Sequence, residues 1–312
     1  MGAGVYVGWN IGANDTANCI GTSVGCGLIS FRNAVILVAI FSILGALLQG
    51  QNVMNTIGRG IVKTDLSYLA VIIALLCSGF FITLATFFRI PTSTSQAIVG
   101  GVVGIGLAVN AEVDFSKFII IAESWVICPL MVMALSFGLM HLLKSILRRF
   151  ETGTFRFQNA LGWLAIGSAC YVAFSMGANN AGNAVGPIAN LGILHPKLLL
   201  LMGGLSIAVG AATYGRKVAD TVGKGITPLD IPGAFVAQVS SAFGMHLFSL
   251  LGIPVSTSSA IVGAVVGVGL VKGMKAISKK TMATILLGWL LTPTFAAVSS
   301  FLMYKLIKAL FV

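Results

Sequence analysis

The sequence predicts an all-α membrane protein, a polytopic helical bundle of two inverted-topology repeats with re-entrant half-helices. Three observations predict it. Apolar residues make up 57% of the 312 and charged residues only 9%, with a mean hydropathy of +1.00. A soluble chain carries about 25% charged residues, so this one lacks the charge to cover a water-facing surface. Apolar runs such as Ala34–Leu48, Tyr68–Phe88 and Phe118–Met140 are separated by short polar loops. They approach or exceed the roughly 18–20 residues that cross a bilayer as helix. Backbone groups in hydrocarbon must bond one another, and unbroken runs rather than alternation select helices over a barrel. The third observation is an internal repeat.

Gly12-Ala13-Asn14-Asp15-Thr16-Ala17-Asn18 returns as Gly177-Ala178-Asn179-Asn180-Ala181-Gly182-Asn183, an offset of 165. Asn55 to Ile61 returns as Asp220 to Ile226 at the same offset. Ser93 to Leu107 returns as Ser256 to Leu270 at offset 163, with 12 of 15 positions identical. Trp125 and Pro129 return as Trp289 and Pro293. Four blocks in one order and nearly one register divide the chain into halves, 1–152 and 153–312, joined by a polar stretch around Arg148–Gln158.

Loop charges orient the halves. The loop after the first Ser-Thr-Ser block holds Glu112, Asp114 and Lys117; its counterpart holds Lys272, Lys275, Lys279 and Lys280. Equivalent loops of such different basic content face opposite sides of a membrane. The Lys-rich loop is expected in the cytoplasm. The central linker, with Lys144, Arg148, Arg149 and Arg156, falls on the same side. A multi-pass protein of the plasma membrane is expected, with the lipid bilayer as its solvent. Inverted repeats of this kind bind substrate and coupling ions near the midplane, where the repeats meet.

Two polar blocks interrupt each half. In the first, Asn14, Asp15 and Asn18 put carboxylate and amide oxygens within about one helical turn, and Gly12, Gly21 and Gly25 allow backbone breaks. Such oxygen-rich backbone suits a hard cation such as sodium. Asn179, Asn180 and Asn183 repeat the geometry without the carboxylate. A polar loop at a helix end is the ordinary alternative, but an intramembrane ionisable group is costly and usually functional. The second block is Pro91-Thr92-Ser93-Thr94-Ser95-Gln96, matched by Pro254-Val255-Ser256-Thr257-Ser258-Ser259. Proline followed by hydroxyls reads as a helix start. The helix that follows, about 15 residues or roughly 22 Å, is too short to span. It reads as the returning arm of a re-entrant hairpin. A helix start offers free amides and about half a positive charge, a ready anion site. Plain N-capping is the alternative for these hydroxyls, but four in succession, nearly duplicated, exceed that need.

Other residues carry less. Gln96 and Gln238 lie near the expected site and are candidate sodium ligands, interhelical hydrogen bonding being the alternative. Glu123 is an unsymmetric carboxylate, either an ion-coupling group or a helix-end residue. Arg59 and Lys224 occupy matched Gly-X-Gly positions and read as loop anchors rather than as an anion entrance. His141, His195 and His246 lack metal-ligand spacing, and Cys19, Cys26, Cys77, Cys128 and Cys170 read as small apolar side chains. The net charge of +11 is spread over helix ends and loops without aromatic interleaving, which argues against nucleic acid. No metal triad or nucleophile–base pair can be assembled, so no enzyme and no cofactor are expected. The start lacks the basic n-region of a signal peptide. The residues alone reach a cation-coupled oxyanion transporter, with an anion channel as the rival from another class.

With Gly12–Asn18 and Pro254–Ser258 both duplicated, the sequence closely resembles the inorganic phosphate transporter (PiT) family over essentially its whole chain. The resemblance implies cation-coupled phosphate symport with the chain termini outside, and sodium-coupled import by alternating access is the expected mechanism. Phosphate would be held by Thr92, Ser93, Thr94, Ser95, Ser256, Thr257, Ser258 and Ser259 with Asp15 and Asn180. Sodium, the coupling ion, would be held by Asn14, Asp15, Asn18, Asn179, Asn183, Gln96 and Gln238. Proton coupling with a metal–phosphate complex, and sulfate as cargo, stay open as alternatives, and so does a homo-oligomer. The sequence departs from the family at Asn180, where many relatives carry Asp, at Ser42, and in its short central linker. The first helix is expected to be clipped relative to its counterpart.

Overall fold

The computed structural model describes residues 1–88, 92–147, 155–225, 229–273 and 279–311, of which 155–158, 217–225, 279–287 and 311 are described by backbone alone. Pro91, most of the central linker (including Arg148 and Arg149) and Lys275 lie outside the described residues, as do the side chains of Arg156, Lys224, Lys279 and Lys280. Ten α-helices are described: α1 (Gly2–Gly25), α2 (Phe31–Asn55), α3 (Tyr68–Phe87), α4 (Thr94–Ala108), α5 (Phe115–Leu147), α6 (Phe155–Ala189), α7 (Pro196–Gly225), α8 (Ile231–Leu250), α9 (Thr257–Lys272) and α10 (Lys279–Phe311). A π-helical turn, Thr56–Gly60, ends α2.

Among the described residues, seven helices are long and apolar enough to cross a membrane: α2, α3, α5, α6, α7, α8 and α10. Their outer faces carry the apolar side chains. Along α2, Ile36, Ile40, Leu44 and Leu48 are exposed at four-residue spacing, the stripe that hydrocarbon covers. Polarity is turned inward instead: Asn10, Asn14, Asp15, Asn179, Asn180, Asn183 and Gln238 are buried. Helix α1 has 24 residues, but three of these inward polar positions and their neighbours keep it out of the apolar set. The helices α4 and α9, with 15 and 16 residues, are half-length.

Each half-helix pairs with a longer one as a hairpin that enters and leaves on one side. At the base of the α3–α4 hairpin, Ala70 packs with Ile105, and Lys63 pairs with Glu112 and Asp114 at 3.1 and 3.6 Å. The Glu112 hydrogen bond holds the Lys63 ammonium above its ordinary range, and the Lys117 amide holds the Asp114 carboxyl below its own. At the base of the α8–α9 hairpin, Lys272 meets Asp230 at 2.8 Å. Burial pushes the Asp230 carboxyl up, and the bonds from Lys272 and the Gly233 amide outweigh it, so it sits below its ordinary range.

Helix α5 shows that the two bases lie at opposite ends of the bundle. It starts beside Asp114 at the first base. Midway, the Trp125 indole donates to Pro254 O at the second hairpin's tip (3.3 Å). Farther on, Phe137 to Ser145 line a cavity with Leu270 and Val271 at the second base. Helix α10 runs the other way, bringing Tyr304 and Ile307 back to the first base. The repeats are therefore inverted, with their tips meeting in the middle.

The halves are also interlocked. The helices α1 and α2 pack on α7 and α6, and α4 and α5 on α10 and α9. Glycines make each seam close. A Cβ on Gly12 or Gly210 would meet the facing backbone of α7 or α1, and one on Gly177 or Gly45 that of α2 or α6. A Cβ on Gly100 would lie 2.3 Å from Pro293 O, and one on Gly263 2.3 Å from Pro129 O. Overpacking of this kind costs about 1–3 kcal/mol. Gly100→Ala and Gly263→Ala should each lower the melting temperature of the detergent-purified protein, and the pair should lower it further. Unchanged melting in both would mean that these seams are not in contact.

Candidate functional site

The two hairpin tips meet in a fully buried polar cluster. Ser93 and Ser256 are the N-caps of α4 and α9, and accept the amides of Gln96 (3.3 Å) and Ser259 (3.1 Å). For these two hydroxyl oxygens the ordinary capping role is the one observed. The next amides, of Thr94, Ser95, Thr257 and Ser258, meet no acceptor among the described residues. Two helix starts thus face one another across the bundle with free N–H groups and the positive ends of their dipoles.

Asp15 lies between them and is the one buried carboxylate among the described residues, 1% exposed. Its Oδ2 accepts from the Thr94 hydroxyl and from the Asn180 amide, both at 2.8 Å. The Asn18 amide approaches Oδ1 at 3.5 Å. Among the described residues no cationic side chain is paired with it. Asn180 also donates to Thr257 Oγ1 at 3.0 Å and accepts from Asn179 (2.9 Å) and Asn183 (3.1 Å). Asp15 and Asn180 are each other's repeat partners, so their mutual hydrogen bond marks where the pseudo-two-fold axis passes.

The surrounding bonds obey the same symmetry and cross between the halves. The Ser95 hydroxyl donates to Val255 O (2.8 Å) and accepts from Asn183 (2.7 Å). Its partner Ser258 donates to Thr92 O (2.9 Å) and accepts from Asn18 (2.9 Å). Asn14 Oδ1 accepts the Thr92 amide at 3.3 Å, and Asn179 Oδ1 accepts the Val255 amide at 3.2 Å. Each hairpin tip is therefore bound to both α1 and α6 elements. Gln96 Oε1, Asn183 Oδ1 and Ser259 Oγ are among the buried oxygens without a partner in the described residues. Amide oxygens beside a carboxylate are the donor set a hard monovalent cation takes, so the residues present fit sodium as a cargo ion.

The structure gathers Asn14, Asp15, Asn18, Asn179, Asn180, Asn183, Thr92 to Ser95 and Ser256 to Ser259 into one place, whereas the Gln96 side chain lines a cavity beside α5, α9 and α10. It puts Gln238 elsewhere. That side chain accepts from Ser168 (2.7 Å) and donates to Cys19 O (3.1 Å) and Ser23 (2.9 Å). Both ends of the amide are occupied, about one turn along α1 from Asn18. Glu123 and Arg59 are exposed, and His246 bonds Tyr171 at 2.8 Å, away from the cluster. Sequence reasoning missed Thr86, which accepts from Asn14 (2.9 Å), and Thr292, which bonds Thr92 (3.2 Å). Thr292 precedes the repeated Pro293, the one signal that could have found it.

Inverted repeats that meet at half-helix starts inside a bundle are the architecture of secondary transporters, and the fold and site place the chain in that class. A family model described as "Phosphate transporter family" matches residues 11–162 and again 152–300. A Thermococcus kodakarensis protein named as a candidate phosphate permease is 31% identical over 97% of this chain and 96% of its own. An Arabidopsis thaliana protein, "Inorganic phosphate transporter 2-1, chloroplastic", is 28% identical over 93% of this chain and 68% of its own. A solved structure titled "The sodium-dependent phosphate transporter" superposes with a TM-score of 0.90 at 28% identity, covering 99% of this chain and 98% of that one. The chain belongs to the phosphate transporter family. It is a membrane transporter rather than an enzyme, and phosphate transport is its class of activity.

Ser95→Ala and Ser258→Ala each strand a buried amide and a buried carbonyl. Leaving such groups unpaired costs about 1–3 kcal/mol, so each variant should melt below wild type without ligand. Ser259→Ala removes a hydroxyl with no partner and should melt as wild type does. Equal melting of all four proteins would show that the crossing bonds do not hold the tips together.

Proposed function

We propose that the protein imports inorganic phosphate together with sodium by alternating access around this cluster. The observation that carries the reading is the pair of opposed helix starts, with four amides free of acceptors, closing on a single carboxylate. Tetrahedral oxyanions suit free amides and hydroxyls at helix starts, and Thr94, Ser95, Thr257 and Ser258 would supply both. The hydroxyls of Ser93 and Ser256 keep a proton to donate while they cap. Asp15 and Asn180 would reach the substrate from the axis between the tips.

The same arrangement explains why a cation is needed. Two like charges about 5 Å apart repel by roughly 3 kcal/mol at an effective dielectric constant of about 20. Phosphate brought beside Asp15 meets that repulsion for each of its charges. A sodium ion held by the Asp15 carboxylate with the unpartnered oxygen of Asn183 offsets it. Asn14, Asn18 and Asn179 would keep the two tips in register. Binding of anion and cation is then mutually dependent, which is the condition for symport. The structural neighbour is a sodium-dependent phosphate transporter, which agrees with this reading. The Lys-rich second base would face the cytoplasm of a plasma membrane by the positive-inside rule, and the termini would face out.

Radiolabelled phosphate uptake into proteoliposomes tests the proposal with an inward sodium gradient and, separately, an inward proton gradient. Concentrative uptake with sodium alone is expected. Asp15→Asn removes the charge that demands a cation, so this variant should bind phosphate with no sodium dependence and should not concentrate it. Uptake driven by protons alone, or an Asp15→Asn variant with wild-type sodium dependence, would overturn sodium coupling. Sulfate competing as well as phosphate would overturn the assignment of the anion.

A further inference from the structure

The seam between α5 and α9 runs from the hairpin tips to the second base and holds two cavities in line. The inner one, about 560 Å³, is lined on α5 by Val126, Leu130 and Met133 and on α9 by Val262 and Val266. Its lining is apolar but for Gln96, Thr294 and two indoles. Val126 and Leu130 are more than half exposed on the outer surface of the bundle, so the cavity opens toward the bilayer and not into the transport path. Water entering it finds few partners, whereas a hydrocarbon chain fits it.

The outer cavity, about 370 Å³, continues the seam by one turn and has another character. Phe137, His141, Lys144 and Ser145 line it with Leu270 and Val271 of α9. These α5 residues stand at spacings of four, seven and eight, one face of a helix. Phe137 and His141 stack at 6.2 Å between ring centres, with 22° between planes. Lys272, just beyond Val271, is occupied by Asp230. Lys144 forms no ion pair among the described residues. It therefore offers an unneutralised ammonium, with an imidazole and a hydroxyl beside it, at the end of a membrane-facing groove.

The depths match a lipid. From Lys144 to Met133 is eleven residues of helix, roughly 16 Å of rise, and one leaflet of hydrocarbon is about half of 30 Å. We propose that this seam is a binding site for one anionic phospholipid. Its headgroup phosphate would lie against Lys144, His141 and Ser145. One acyl chain would run past Phe137 into the apolar cavity and end beside Gln96, next to Ser95 of the first hairpin tip. Basic pockets between membrane helices recognise anionic headgroups by this chemistry.

The test uses the full-length protein reconstituted with equal amounts of phosphatidylglycerol and phosphatidylcholine, extracted in mild detergent, with retained lipid counted by mass spectrometry. Wild type should keep phosphatidylglycerol in excess. Lys144→Gln should lower that excess about five-fold, the surface attraction of one lysine. Val266→Trp, which fills the tail cavity, should lower retention of both lipids. If that variant does not fold, short-chain phosphatidylglycerol on wild type replaces it, and weaker retention than for the long-chain lipid is expected. Retention in the bath ratio by wild type would overturn the site, as would a Lys144→Gln variant that keeps the full excess. Inorganic phosphate displacing the lipid, with no effect of tail length or cavity filling, would make this a free-phosphate site and overturn the lipid assignment.

Discussion

A carboxylate with no cationic side chain beside it among the described residues lies at the centre of a bundle whose outer faces are made for hydrocarbon. Charge in such a place must be compensated by hydrogen bonds, dipoles or a mobile ion. Here the resident compensation is modest: a threonine hydroxyl, an asparagine amide and a long contact from a second asparagine. Two helix starts supply the remaining positive potential. Both are available only because α4 and α9 stop halfway, and they stop halfway because the chain turns back as hairpins. The buried Asp15, the broken helices and the inverted repeat are one constraint seen at three scales.

Inversion symmetry explains most of the contacts, and its exceptions fall where charge is handled. Asn14 and Asn179, Asn18 and Asn183, Ser95 and Ser258 hold equivalent partners on opposite sides of the axis. At the axis itself the equivalence fails, because Asp15 faces Asn180 rather than a second acid. Two carboxylates there would repel at hydrogen-bond distance. The amide instead donates a hydrogen bond to the acid and gathers Asn179 and Asn183 on its oxygen. Gln96 and Ser259 are a second unequal pair, both with an unpartnered oxygen, so the two halves do not offer a cation the same donors. A second break lies away from the centre. The first half joins Tyr6 to Thr83, and the second joins Tyr171 to His246 at the matching positions.

The architecture was legible because hydropathy and repetition survive in a sequence without any knowledge of contacts. Block order and register fixed the halves, and unequal lysine content fixed their opposition, which α5 confirms by touching both bases. The core of the site was legible for the same reason: Asn14 to Asn18 and Ser93 to Gln96 are dense polar blocks in an apolar background, and each is written twice. What could not be read was depth and partnership. Gln238 is a lone amide in an apolar helix, and nothing local tells whether it faces an ion or, as here, two serines and a carbonyl. Thr86 and Thr292 contribute one hydroxyl each, and the carbonyls of Thr92 and Val255 carry no side-chain signature at all. The crossing of the hydrogen bonds, with Ser95 serving the second half and Ser258 the first, is a property of the assembled fold.

The nature of the seams bears on how such a bundle could move. Side chains that interdigitate resist sliding, whereas glycine placed against backbone gives a smooth surface with little to unlock. The α1–α7, α2–α6, α4–α10 and α5–α9 contacts are all of the smooth kind at their closest points. Each joins one half to the other, so relative motion of the repeats must pass through all four. The hairpin tips, by contrast, are tied by directional bonds that have to be remade when a ligand enters. Sliding surfaces around a polar centre put the barrier to motion at the site itself. On the proposed mechanism, occupancy of that centre by anion and cation together would decide whether the repeats rock.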